Sequence, residues 1–204
     1  MTCIAATAES PEAILIAADS GQTEGETGLR GTFLGKLKRH PSEPVAWGNA
    51  GAMAIFDGFD SWMTAFDWTR GWEIFKAEAL DHLAGLNGAH RRMIRKSGVR
   101  PKAQSQGDAM QALVVGWNGD SPEILQFDDR GVRESYKHEG FYAIGSGGNI
   151  AIVAHRALRI VNGLPPLNRL LVAVAMAAEM DKQCGPPLHV WRVTREAIEE
   201  VPLG

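Results

Sequence analysis

The chain has 204 residues, of which 45% are hydrophobic and 22% are charged. This length and composition fit a single globular domain with a sizeable core, which we expect to span residues 1–204. The net charge of −3 gives the molecule no general attraction to nucleic acid or to an anionic membrane. We therefore expect neither as a partner.

Several features indicate a cytoplasmic protein. The first residues have no basic start, and Glu9, Glu12 and Asp19 interrupt their apolar run, so they do not read as a secretory signal. No apolar stretch approaches the ~20 residues of a membrane helix. Two cysteines do not make a disulfide framework. The six histidines lack metal-ligand spacing, so we expect no metal and no cofactor.

The chain begins with four predicted strands. Residues 3–9 and 13–19 read as strands with a Ser-Pro-Glu turn between them. The second of these segments is apolar almost throughout, which is typical of a strand covered on both faces. Residues 32–39 and 44–49 are predicted to form two further strands, separated by a proline-containing turn.

Two helices are predicted next. Apolar residues over 55–66 recur at the spacing of one helix face, and Gly71 ends that pattern. A second helix follows, with apolar residues at 75, 79, 83 and 86. Beyond it the sequence becomes basic and the helical pattern decays. Residues 98–108 are predicted to be a loop.

The second half repeats this order of strands and then helices. Residues 110–117, 123–128 and 132–137 are predicted strands, and Asn118-Gly119 is a strong hairpin signal. The remaining elements are a strand ending in the glycine turn GSGG, helices over 150–161 and 167–178, and a strand over 188–194. Strands paired by hairpins and helices in consecutive pairs predict an α+β fold with antiparallel sheets and outer helix layers.

Six segments, in chain order, resemble the proteasome β subunits and their bacterial HslV-type relatives, which are N-terminal-nucleophile hydrolases. They are Thr2 before the first strand, IAADSGQT (16–23), GKLKRH (35–40), AWGNAG (46–51), AIGSGG (143–148) and AAEMDKQCG (177–185). Each segment alone is weak, but together they cover nearly the whole chain. The resemblance implies a four-layer αββα sandwich of two antiparallel sheets flanked by helix pairs, in agreement with the predicted element order.

The resemblance also implies a catalytic site. Thr2 would become the first residue after removal of Met1 and act as the nucleophile, because its hydroxyl and the new α-amine then lie on one residue. The amine, with an unperturbed pKa of about 8, would serve as the base. The other implied residues are Asp19 and Lys36 beside the nucleophile, Gly48 as the oxyanion donor, and Ser146, Asp181 and Cys184 around the amine.

The implied substrate site comprises Gln22, Leu34, Lys38, Ala46 and Ala50, and its two alanines suggest room for a large apolar side chain. The resemblance further implies a threonine endopeptidase that assembles into rings of six or seven subunits, single or stacked in pairs. An ATP-dependent unfoldase would be a partner, and unfolded protein or peptides would be substrates. The alternatives are a ring-forming homologue without proteolytic activity and a hydrolase of small amides.

Some of these assignments have simpler alternatives. Asp19 also suits a turn after its strand, and Lys38 competes with Lys36. The GSGG segment could be a phosphate loop, but it lacks the Gly-Lys-Ser/Thr ending of such loops. Cys184 stands where the family usually has serine, and a thiol is a weaker hydrogen-bonding group. Cys3 is either a reactive thiol or a core residue.

Two further segments are better explained by structure than by ligand binding. The basic cluster over 90–102 contains no aromatic residue for base stacking, which favours a solvated helix end over a nucleic-acid site. The tryptophans over 62–72 are predicted to lie in the core or in a subunit contact.

Overall fold

The computed structural model describes residues 2–24, 29–32, 35–96, 109–128, 131–134, 140–161, 163–182 and 184–203, with the backbone alone for some of them, including Gln22. Within these ranges the strands are β1 (Ile4–Ser10), β2 (Ala13–Asp19), β3 (Gly21–Glu24), β4 (Leu29–Thr32), β5 (Leu37–Arg39), β6 (Ala46–Gly51), β7 (Met110–Asn118), β8 (Ser121–Asp128), β9 (Gly131–Glu134), β10 (Phe141–Ile144), β11 (Leu188–Val193) and β12 (Ile198–Glu200). The helices are α1 (Phe56–Ala65), α2 (Trp72–Lys96), α3 (Gly148–Leu158) and α4 (Pro166–Met180), with 3-10 turns at Met53–Ile55 and Trp68–Arg70.

Ten of these strands form two five-stranded antiparallel sheets. The first sheet has the order β10-β1-β2-β11-β12, and the second has the order β5-β6-β7-β8-β9. Strands β3 and β4 pair separately as a hairpin. Asn118 pairs with Ser121 across a two-residue turn, as the Asn-Gly signal predicts.

Three hydrophobic cores show that the molecule has four layers. One core lies between α1, α2 and the second sheet and includes Phe59 and Phe75. Another lies between α3, α4 and the first sheet and includes Leu170 and Val174. The third contains strand residues from both sheets and fills the space between them. Three interfaces between successive layers give the expected αββα sandwich, so this prediction is confirmed.

The surroundings of β2 explain why its sequence is almost entirely apolar. Ile14 and Ile16 face the second sheet, whereas Leu15 and Ala17 face α3 and α4. Alternate side chains of a strand point to opposite faces, and here both faces are covered. The strand ends at Asp19, so its last side chain is brought into the interior at the edge of the sandwich.

The structure differs from the predicted elements in a few places. The segment 32–39 is not one strand, because Gly35 adopts a φ of 104° before β5 begins. The polar hairpin β3–β4 and the short strand β12 escaped prediction because they lack apolar alternation. Helix α2 continues through the basic segment to Lys96. Positively charged side chains stabilise a helix at this end, because the C-terminus is the negative end of the helix dipole. The predicted loop 98–108 and residues 135–137 lie outside the described residues.

Of the tryptophans in segment 62–72, Trp72 lies in the core, and Trp62 and Trp68 are partly buried against it. This agrees with the core alternative of the prediction. Among the described residues, no helix is both long enough and apolar enough to cross a membrane.

Candidate active site

Asp19 is the centre of a buried polar cluster at one edge of the sandwich. Its carboxylate is fully buried and accepts five hydrogen bonds from described residues. Oδ1 accepts from the Thr2 hydroxyl at 2.6 Å, the Cys3 N–H at 2.7 Å and Lys36 Nζ at 2.9 Å. Oδ2 accepts from the N–H groups of Gly21 and Gly185. These hydrogen bonds to one carboxylate fix the relative positions of the groups that donate them.

The structure distinguishes between the two candidate lysines. Lys36 lies just before β5, its side chain is 8% exposed, and its ammonium pairs with Asp19. The same ammonium donates to the carbonyl of Gly21 at 2.5 Å. Lys38, two residues later, makes no ion pair with Asp19. Lys36 is therefore the lysine that shares an oxygen of Asp19 with Thr2.

The turn between β10 and α3 positions the backbone of Thr2. Gly147 donates its N–H to the Thr2 carbonyl at 3.4 Å. A Cβ on Gly145 would lie 2.0 Å from the same carbonyl oxygen, and Gly145 has a φ of 87°. Only glycine allows this approach. The GSGG segment thus holds the start of β1, which accounts for its glycines without a phosphate.

The segment before β11 also contacts this polar cluster. The Gly185 carbonyl accepts hydrogen bonds from the N–H groups of Ser20 and Gly21, both at 2.9 Å. A Cβ on Gly21 would lie 2.3 Å from the Gly185 nitrogen, so Gly21 must be glycine. The residue next to Gly185, Cys184, donates its thiol to Asp181 Oδ2 at 3.6 Å.

Ser146 lies in the same region. Its hydroxyl oxygen is buried and forms no regular hydrogen bond with a described residue. The hydroxyl lies near the Cys184 thiol, where its interaction opposes the rise in that thiol's pKa. The structure thus gathers the predicted residues Ser146, Asp181 and Cys184 beside the Gly147 contact with Thr2.

Both cysteines are poor nucleophiles. Burial, with additional effects from Cys184 and Asp19, raises the pKa of the Cys3 thiol well above its ordinary value. Burial, followed by the charges of Asp19 and Asp181, raises the pKa of Cys184 to about 12. Since the thiolate is the reactive form, neither thiol competes with the Thr2 hydroxyl at neutral pH. Cys3 is a core residue.

A cavity of about 260 Å³ opens beside Thr2 and is called the Thr2 cavity below. Thr2 and Lys36 lie in its wall. The other lining residues are Gly21, Gly35, Lys38, Asn49, Ala50, Gly51, Met53, Phe56, Asp57 and Asp60. A concave site with a buried charge pair at one end is the usual form of an enzyme active site.

The sequence resemblance assigns the oxyanion donor to Gly48, and the structure corrects this assignment because the Gly48 N–H points away from the Thr2 cavity. Ala52 donates its N–H to Ala109, which precedes β7, and His40 donates to Val45. Because N–H groups alternate in direction along an antiparallel strand, these two bonds orient the Gly48 N–H toward β7. The N–H of Gly51 points the opposite way, toward the side of Lys36. Gly51 lines the Thr2 cavity, whereas Gly48 packs against Ile4 between the sheets.

The predicted substrate residues separate into three groups. Lys38 and Ala50 line the Thr2 cavity. Ala46 is fully buried between the two sheets and does not line it, so its assignment is wrong. Gln22 lies on β3, where only the backbone is described, and Leu34 lies outside the described residues.

Sequence reasoning missed Asn49, Gly51, Asp57 and Asp60 as residues of the cavity. Gly51 carries a recognisable signal, because a second glycine at the end of a strand often marks a positive φ, here 101°. Asp57 and Asp60 are three residues apart on α1 and so share a helix face. That spacing alone does not show which face meets the cavity.

No protein-family model and no curated protein matches the chain. Solved structures do. HslV from Trypanosoma brucei aligns over 95% of this chain and 99% of its own, with a TM-score of 0.64 and 19% identity. This chain has the HslV fold.

Two structures of BPH from Thiobacillus denitrificans are also similar. One aligns over 95% of this chain and 98% of its own, with a TM-score of 0.66 and 19% identity. The other, in complex with epoxomicin, aligns over 96% and 100%, with a TM-score of 0.63 and 18% identity. The resemblance in the sequence is thereby confirmed at the level of the HslV fold.

Proposed function

We propose that this chain is a threonine peptidase in which Thr2, exposed by removal of Met1, attacks the peptide carbonyl. One observation carries the proposal: the Thr2 hydroxyl and the Lys36 ammonium both bind one oxygen of the buried Asp19 at the end of the Thr2 cavity. The HslV fold of the chain supports the proposal. In this chain the glycine turn between β10 and α3 holds Thr2 at the cavity.

The chemistry follows from the groups around Thr2. A free Thr2 amine takes the hydroxyl proton, directly or through water, as Oγ1 bonds to the substrate carbonyl carbon. Lys36 places a positive charge beside the amine and the hydroxyl, which favours the neutral amine and the oxyanion. Asp19 holds Lys36 and the Thr2 side chain in position.

The tetrahedral intermediate needs a donor for its oxyanion. In this proposal the N–H of Gly51 supplies it, since that group points away from β7 on the cavity side. One such donor contributes roughly 3 kcal/mol to the transition state. Collapse of the intermediate breaks the C–N bond, and the protonated Thr2 amine gives its proton to the leaving amine. Water then hydrolyses the ester on Thr2 and restores the hydroxyl.

The direct test compares the protein with its Thr2→Ala variant. Intact mass first establishes that Met1 has been removed. Fluorogenic peptides should then be cleaved by the unaltered protein, with a loss of at least about 1000-fold in kcat/KM for Thr2→Ala. Equal cleavage by both proteins would overturn the proposal. A chain that keeps Met1 and cleaves nothing would favour the non-proteolytic alternative.

A peptide epoxyketone gives independent support, because its adduct requires a hydroxyl and a neighbouring free amine. The similar BPH structure was solved with epoxomicin, which is a reagent of this class. Peptide mapping should place the adduct on Thr2. An adduct on either cysteine, or none, would contradict the assigned nucleophile.

A further inference from the structure

The Thr2 cavity contains an acceptor group without a donor. Asn49 is 5% exposed and donates its Nδ2 to Asp60 Oδ1 at 2.7 Å. Trp47 Nε1 donates to the same oxygen at 2.6 Å. A carboxylate only accepts hydrogen bonds, so the Asn49 amide nitrogen must face Asp60. The Asn49 amide oxygen is then the free end. It is buried and accepts no hydrogen bond from the described residues.

Two carboxylates line the same cavity as Asn49. Asp60 and Asp57 lie on one face of α1 and both line the cavity. Neither forms an ion pair within the described part of the chain. Lys36 is engaged by Asp19, which leaves Lys38 as the other cation among the lining residues, near Gly35. Among the lining residues away from Asp19, two carboxylates therefore face one lysine, and Arg39 borders an adjoining cavity that Asp57 and Asp60 also line.

The rest of the wall is apolar. Ala50, Met53 and Phe56 line the cavity together with the polar residues. A ligand side chain that suits this cavity has an apolar stem and a tip that carries several N–H donors and a positive charge. Lysine and arginine side chains have this form.

We infer that the Thr2 cavity binds a basic substrate side chain, arginine or lysine, on the residue whose carbonyl Thr2 attacks. The inference rests on the proposed peptidase function and replaces the large apolar side chain expected from the sequence. Asp60 and Asp57 accept the N–H donors of its tip beside the Asn49 side chain, and the apolar wall contacts its methylene groups. A leucine side chain offers the two carboxylates neither a hydrogen-bond donor nor a positive charge, so it binds more weakly than arginine or lysine.

The two carboxylates also have structural roles, but these do not account for the whole arrangement. Asp57 lies in the first turn of α1, where a negative charge stabilises the helix by interacting with the positive end of its dipole. Asp60 holds Trp47 and Asn49 in place. Neither role requires that the buried amide oxygen of Asn49 lack a donor among the described residues.

The experiment uses two fluorogenic peptides that differ only in the residue before the cleaved bond, arginine in one and leucine in the other. The full chain with Met1 removed should show a kcat/KM at least about tenfold higher for the arginine peptide. Asp57→Asn and Asp60→Asn should each reduce the rate for the arginine peptide about tenfold and leave the leucine peptide little changed. Asp81→Asn, an exposed acid on α2, is the matched control and should change neither rate.

The outcomes separate this inference from the proposed function. Cleavage of the leucine peptide that depends on Thr2, with no preference for arginine, overturns the inference and leaves the peptidase standing. Loss of both activities to the same extent in Asp57→Asn also counts against it. Absence of cleavage together with absence of an epoxyketone adduct overturns both. Because the preference of the unaltered protein is itself a test, the result does not depend on whether the Asp60 variant folds.

Discussion

Asp19 shows how one residue links the fold to the site. Its position at the end of a buried strand removes it from water, which would strongly disfavour an unpaired charge. Three backbone N–H groups, one ammonium and one hydroxyl replace the lost water. Those backbone donors come from the starts of β1 and β3 and from the segment before β11. The carboxylate therefore ties together three separate parts of the chain and the candidate nucleophile.

Cys184 gives a pH prediction at the same scale. The pKa of its folded-state thiol is about 12, above the ordinary value of 9.0, because of burial and the Asp19 and Asp181 charges. The unfolded chain therefore binds fewer protons than the folded chain above pH 9, and the free energy of unfolding falls as pH rises from about 9 to 12. Replacing Cys184 with serine removes this titration.

We expect the protein that keeps Cys184 to lose about 1 kcal/mol more stability than Cys184→Ser between pH 8 and pH 10. Urea unfolding of both proteins at the two pH values measures the difference. Both proteins are made in a Cys3→Ala background, because Cys184 affects the pKa of Cys3; the remaining titrating groups are common to both proteins and cancel. Parallel losses would show that the Cys184 thiol ionises as readily in the folded state as in the unfolded state.

At the level of elements, the turn between β10 and α3 decides where Thr2 lies. Gly145 has a positive φ and passes so close to the Thr2 carbonyl that no side chain fits. The turn is held from the other side by Gln111 on β7, whose side-chain oxygen accepts the Gly145 N–H at 3.0 Å. The two sheets therefore meet at this turn, and Thr2 takes its position from both.

Gly145→Ala should displace Thr2 and strain the turn. We expect the free energy of unfolding to fall by roughly 3 kcal/mol or more and kcat/KM to fall at least about 100-fold. Gly119→Ala is the matched control, since Gly119 also has a positive φ but has nothing within 4 Å of its added Cβ. That variant should lose only about 1 kcal/mol and keep its activity. Similar losses in both variants would remove the special role of the β10–α3 turn.

At the scale of the whole molecule, some apolar side chains on the outer helices are left exposed by the described residues. Val153 and Ile160 on or just after α3, and Met176 and Met180 on α4, are between 40% and 83% exposed. Such exposed apolar residues favour contacts between copies of the chain, and the ring implied by the sequence resemblance remains a prediction.

We expect light scattering to give a particle several times the 22.1 kDa mass of one chain. Val153→Lys and Met180→Lys, which place charges on this outer surface, should lower the mass or slow assembly if these helices lie in the contact. Lysine substitution of Met93, an exposed residue on α2, is the control. A monomer at all concentrations would contradict a ring.

The sequence by itself determined the layer order of the fold. Hydrophobic periodicity is a local property that reports which faces of an element are buried, so the both-faces pattern of β2 and the helix faces of α1 to α4 were readable directly. Resemblance to a known family placed Thr2, Asp19 and Lys36 in one site, and the structure brings those three residues into contact.

Only the tertiary structure decided the finer assignments. Whether Gly48 or Gly51 offers its N–H to the cavity depends on which neighbouring strand accepts each hydrogen bond, and composition does not encode that direction. Ala46 and Ala50 look equivalent in sequence, yet only Ala50 lies at the edge of the inter-sheet core, where it reaches the cavity. The hydrogen bond between Asn49 and Asp60 depends on how α1 packs on β6. The buried Asn49 oxygen, which has no donor among the described residues, appears only once that packing is known.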